Sequence, residues 1–152
     1  MCAIVTKPDK VRKTDKHGYI ILRKSSLDTF RTRSTAGSME LNKIIKSLSS
    51  KPLKEEETLV RIGRFHIHSN LKNANLFFKD FTDNVYVGDG QPLYSTYIVK
   101  CTIPKGSIVA VGYNDHCSEH TNGNLILLSD TIVLNKVIKE KIGKYEFQDS
   151  PY

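Results

Sequence analysis

Two histidines separated by one residue, His66 and His68, lie in the alternating run GRFHIHSNLKNANLFF (63–78). Three further donors, His116, Cys117 and His120, fall within NDHCSEHTNGN (114–124). On a strand the first two share a face, and imidazole with thiolate is zinc-binding chemistry. Neither spacing is a complete ligand set, and short patterns of this kind arise often by coincidence. The expectation is therefore no bound metal, with a zinc-supported structural module as an alternative. Nucleophilic chemistry has two candidate thiols. A reactive cysteine needs an electropositive, partly exposed setting and a base within hydrogen-bond reach. Cys117 stands beside His116, whereas Cys101 lies in the apolar run STYIVKCTI and reads as a small core residue. With Cys2 the chain has 3 cysteines and no paired motif, which fits reduced thiols in a cytosol.

Phosphate chemistry is the next candidate. Neither GxxxxGK[ST] nor GxGxxG after a strand occurs, and IPKGS (103–107) reads as an ordinary turn. The charge distribution is more informative. The formal net charge is +7, and it is unevenly shared: residues 1–54 hold 13 Lys/Arg and 4 Asp/Glu, or +9, while residues 55–152 hold 10 and 12, or −2. A basic segment of this kind attracts nucleic acid, an acidic protein surface or nucleotide phosphates. Lys10, Arg12, Lys13, Arg31 and Arg33 are the expected contacts, with Arg23 nearer a pocket. The stretch KPDKVRKTDK (7–16) has aspartates among its lysines and no aromatic residue, so alone it is a poor platform for stacking bases.

These residues need a scaffold, and 152 residues suffice for one domain with a sizeable core. Hydrophobic residues at 39% and charged residues at 26% are ordinary globular values. No apolar run approaches the roughly 18 residues that span a bilayer, and MCAIVTKPDK lacks the features of a signal peptide. A soluble cytoplasmic protein is expected, with residues 1–17 as a basic arm and 18–152 as a single domain.

Within that domain GYIILRK (18–24) reads as a buried strand and SSLDTFRTRSTAG (25–37) as a loop. SMELNKIIKSLSS (38–50) places Leu41, Ile44, Ile45 and Leu48 at helical spacing, with Ser38 to cap and Lys51-Pro52 to stop it. After a short strand in EEETLVRI (55–62), Arg64 to His68 alternates, with Phe65 and Ile67 on one face and Arg64, His66 and His68 on the other. Ser69 or Asn70 caps a second helix whose stripe is Leu71, Ala74, Phe77, Phe78 and Phe81. The remainder is strand-rich. LYSTYIVKCTI (93–103) and SIVAVGY (107–113) read as a hairpin, LILLSDTIVLNKVI (125–138) as one or two strands, and KEKIGKYEFQDSPY (139–152) as a small edge strand. The fold class expected is α+β, a mostly antiparallel sheet with two main amphipathic helices in the N-terminal half.

Taken together, Arg23 at the end of the first buried strand, FHIHSNLKNANLFF, STYIVKCTIPKGSIVAV and NGNLILL resemble the ADP-ribosyltransferases of the arginine-serine-glutamate class. The resemblance implies an NAD-dependent transferase in which Arg23 meets the NAD phosphates and Ser69 follows the aromatic strand. The last glutamate of the pattern falls on Asn124, which cannot supply the negative charge at a developing oxocarbenium centre; Glu119 is the nearest carboxylate in that loop. VKCTIPKGSIVAVG (99–112) is also similar to a strand-turn-strand in short phage and mobile-element proteins. MCAIV resembles the amino-terminal nucleophile of glutamine amidotransferases, without the glycine-rich continuation that role needs.

The function expected first is a small basic binding protein without a cofactor that engages an anionic macromolecule, nucleic acid or nucleoprotein, or a nucleotide. The phage-like resemblance implies interference with a host defence complex as its setting. The alternative is the NAD-dependent transferase, with Arg23, Ser69 and Glu119 as catalytic residues.

Overall fold

The computed structural model describes residues 2–24, 30–31, 39–47, 52–54, 58–60, 63–83, 95–114 and 124–142. In chain order these form β1 (Cys2–Val11), β2 (Lys16–Lys24), β3 (Phe30–Arg31), β4 (Ile44–Lys46), β5 (Thr58–Val60), β6 (Phe65–His68), α1 (Leu71–Asp83), β7 (Ser95–Ile103), β8 (Ile108–Asn114), β9 (Leu125–Ser129) and β10 (Thr131–Ile142).

The strands make one curled sheet in the order β4-β10-β7-β2-β6-β9-β8-β1-β5, with β3 added to β2, and every strand pairing is antiparallel. Long ladders join β10, β7 and β2, and others join β6, β9, β8 and β1. The two groups meet at a single pair, Tyr19 with His68. Gly18 lets the strands approach there: a Cβ on it would lie 3.0 Å from the His68 carbonyl oxygen and 2.5 Å from Ile67. The curled sheet encloses the main core, which takes Ile20, Leu22, Tyr97, Val99, Cys101, Ile103, Ile132 and Leu134 from one group and Phe65, Ile67 and Val109 from the other.

Three of the connections that carry the chain from one group to the other, β1 to β2, β7 to β8 and β9 to β10, are stitched together at one corner. Arg12 N–H donates to Ser107 O and Gly106 N–H to Arg12 O, both at 2.8 Å; Lys105 N–H donates to an Asp15 carboxylate oxygen at 2.7 Å. Asp130 N–H donates to Ile108 O at 3.1 Å, and Ile108 N–H donates to the Asp130 carboxylate at 2.9 Å. The expected hairpin of β7 with β8 is thereby corrected. Both edges of β7 are occupied, by β2 and β10, so the chain turns through Gly106 (φ 90°) into β8, which pairs instead with β1 and β9.

The α+β expectation with two main helices is also corrected: the structure is predominantly β and has one helix among the described residues. The segment read as the first helix contains β4. Asn42 has φ 61°, a left-handed conformation that interrupts a right-handed helix, and its N–H donates to Leu134 O at 2.7 Å. Beyond it, β-branched Ile44 and Ile45 alternate on the edge of β10, with Ile45 packed on the core and Ile44 69% exposed. The same apolar residues satisfied a helical period, but the sheet edge had room for only one face of them.

Residues 2–11, read as part of a basic arm, are a sheet strand with Ala3 and Val5 fully buried. Its Asp9 is an anchor. The carboxylate accepts from Arg64 Nη2 at 2.8 Å and Nη1 at 3.1 Å, and from Leu53 N–H at 3.0 Å, while Arg64 Nη1 also donates to Ile108 O. Arg64, placed by alternation on a polar face, is 2% exposed.

The second expected helix is α1. Asn70 caps it, accepting from Asn73 N–H at 2.8 Å. Ala74 and Phe78 pack with Ile98 and against Tyr19 and Ile21, so α1 covers the outer face of β2 and β7. No helix among the described residues is long and apolar enough to cross a membrane.

Candidate functional site

The outer face of the sheet carries His66, His68 and Arg23 of the polar residues that the sequence singled out. On β6, Phe65 and Ile67 enter the enclosed core as expected, which leaves His66 and His68 outward. They are not on a wet surface. His68 is 1% exposed and lies against the Phe77 ring of α1, centroids 5.2 Å apart. Burial pushes both imidazoles down to about 4, and neighbouring positive charge, His68 included, adds to the effect on His66. Both are thus neutral at pH 7. Among the described residues the Nδ1 atoms of both are buried without a hydrogen-bond partner. No group of three or more His, Cys, Asp or Glu side chains among the described residues is placed to hold a metal ion. His116, Cys117 and His120 lie outside the described residues. Cys101 is the core residue expected: it is fully buried, and burial pushes its thiol up to about 12 despite a hydrogen bond with the Gly18 backbone. Such a thiol is not a nucleophile at neutral pH.

The residues of the transferase pattern fall in two places. β6 pairs with β9 through His68 and Ile126, so Ser69, just past His68, and Asn124, just before Leu125, lie at the same end of that ladder. Arg23 points the other way along the sheet. Tyr19 is level with His68, and Arg23 is four residues further along β2 in the direction away from Ser69, about 13 Å of strand. Glu119 and Arg33 lie outside the described residues.

Of the expected anion contacts, Lys10 and Lys13 are exposed, and the half-buried Arg12 donates to the Thr14 hydroxyl at 3.4 Å. Arg31 pairs through its backbone with Arg23. These residues line no described cavity. A groove among the described residues lies elsewhere. Between α1 and β10 lies a cavity of about 660 Å³ lined by Lys72, Asn75, Leu76, Phe78, Lys79, Lys139, Glu140 and Lys141. Its four lysines are exposed, and Glu140 is the one acidic residue among the described lining residues. Glu140 accepts from the Tyr97 hydroxyl at 3.2 Å, and Lys139 Nζ stands 5.1 Å over the Phe78 ring.

No family model, curated protein or solved structure matches this chain.

The sheet register connects the groove to Arg23. Ile21, Ile98 and Lys139 are level across β2, β7 and β10, and so are Arg23, Thr96 and Lys141 one step further. Ile21 and Ile98 pack beneath α1, so the second row shares the helix-bearing face by the two-residue period of strands. Arg23 therefore belongs to the same face as the groove, two strands from Lys141, or about 10 Å. Sequence reading found Arg23 and missed Lys72, Lys79, Lys139 and Lys141. The available signal was the polar side of α1, where Lys72 and Lys79 lie two turns apart, together with Lys139 and Lys141 at strand spacing.

Proposed function

We propose that the protein acts by binding an anionic partner, a nucleic acid, nucleoprotein or nucleotide, in the groove between α1 and β10. The observation that carries this reading is the gathering of four lysines with one glutamate, among the described residues, around a single concave surface, with Arg23 on the same face. Lysine ammonium groups are compact, strongly hydrated point charges suited to phosphate oxygens, and their ion pairing releases counterions from a polyanion. The attraction is therefore salt-dependent. A titration of mixed-sequence oligonucleotide at low and high salt tests it: affinity should fall steeply with salt, and a flat dependence would refute it.

A second reading, NAD-dependent ADP-ribosyl transfer, is favoured by the position of Ser69 beside Asn124 at the end of β6 and β9. Against it stand Arg23, displaced along β2, and asparagine in place of the charge-stabilising glutamate. Incubation with labelled NAD and lysate separates the readings. Transfer lost in Arg23→Ala would establish the enzyme; no transfer at any concentration of protein would exclude it.

A further inference from the structure

We infer that the groove takes a single strand of nucleic acid, held by its phosphates and without readout of the bases. The inference rests on the anion-binding reading above and specifies its ligand. The cations are arranged along the groove rather than around a point. On α1, Lys72 and Lys79 are two turns apart, about 10.5 Å along the axis. On the opposite wall, Lys139 and Lys141 are two residues apart, about 6.8 Å along the strand. The register continues the line from Lys141 across Thr96 to Arg23. A track of this length suits a chain of phosphates. A lone phosphate is normally held by convergent backbone N–H groups at a helix start or nest; at the start of α1 the Asn73 N–H is already taken by Asn70.

Base recognition has little to work with. Phe78 is the single aromatic residue among the described lining residues, and it is 3% exposed with Lys139 Nζ above its ring. No open π-face is left on it for a base to stack upon. A mononucleotide would accordingly contribute only its phosphates, and bases of a bound strand would face solvent.

Fluorescence anisotropy with labelled oligo-dT and oligo-dA of about twelve nucleotides tests this, a length within the usual span of single-strand sites. The two should bind within about twofold of each other. The logarithm of affinity should fall against the logarithm of salt with a slope near −3, about −0.7 for each of four phosphates neutralised on a single strand. Combining Lys72→Gln with Lys139→Gln should flatten the slope by about 1.4, and arginine at both positions should restore it, with circular dichroism confirming that the variants fold. A tenfold preference for one base, tighter binding of a duplex of equal length, or competition by ATP at equal phosphate concentration would overturn the inference. Binding of inorganic polyphosphate but of no oligonucleotide would overturn it while leaving the groove an anion site. Failure of both polyanions to bind would overturn the inference and the proposed function together.

Discussion

The N-terminal third carries a net +9 and the rest of the chain −2, yet the basic groove is built entirely from the second part. In β1 the charges are dispersed along a sheet strand, and its one acidic residue, Asp9, is committed to Arg64. Around α1 and β10 a net-acidic stretch of sequence places four lysines in one concavity. Charge counted along a chain measures overall attraction for a polyanion, whereas a site depends on which surface the fold assembles.

If β1 is scaffold rather than arm, its removal from the sheet should be costly. Asp9→Ala leaves the buried Arg64 without its carboxylate, and roughly 3–5 kcal/mol of stability should be lost, read as a shift in urea midpoint. A change below about 1 kcal/mol would return β1 to the role of a dispensable arm.

The histidines of β6 should separate scaffold from titratable surface in a second way. In the folded state both have values near 4 against an ordinary 6.5, so the unfolded chain takes up protons first as pH falls. Their contribution is complete above about pH 6.5 and disappears progressively toward pH 4, by up to roughly 3 kcal/mol for each. Urea denaturation at pH 7.5 and 4.5 should show the loss, and His68→Asn should flatten part of the slope. Stability unchanged over that interval would mean that the imidazoles are solvated.

Charge reversal sharpens the contrast in binding. Lys72→Glu combined with Lys139→Glu should weaken oligonucleotide binding tenfold or more, while Lys10→Glu with Lys13→Glu, far from the groove in the fold, should cost about twofold through long-range attraction alone. Equal losses would erase the distinction between the two regions. The smallest effect is expected at the helix cap: Asn70→Ala should cost about 1 kcal/mol by thermal or urea unfolding and leave the lysine spacing on α1 intact.

The parts of the fold legible in the sequence were those fixed by neighbours a few residues apart. The alternation that sends Phe65 and Ile67 inward and the Asn70 cap are of this kind. The helix expected over 38–50 gives way to β4 within the described residues 39–47, because Ile44 and Ile45 fit a helical stripe and a sheet edge equally well until Asn42 and β10 decide between them. The false hairpin of β7 and β8 had the same origin, since turn chemistry at Pro104–Gly106 does not determine which strand a following strand joins. Arg23 could be singled out from its position at a strand end. The lysines could not, because their meeting depends on the lateral order β10-β7-β2 and on α1 crossing it.

Lysine acetylation footprinting with and without oligo-dT is the most direct test of where the anion sits. The account predicts that Lys72 and Lys139 become protected in the complex while Lys10 and Lys13 react as in the protein alone. Protection confined to Lys10 and Lys13, with Lys72 and Lys139 unchanged, would contradict it.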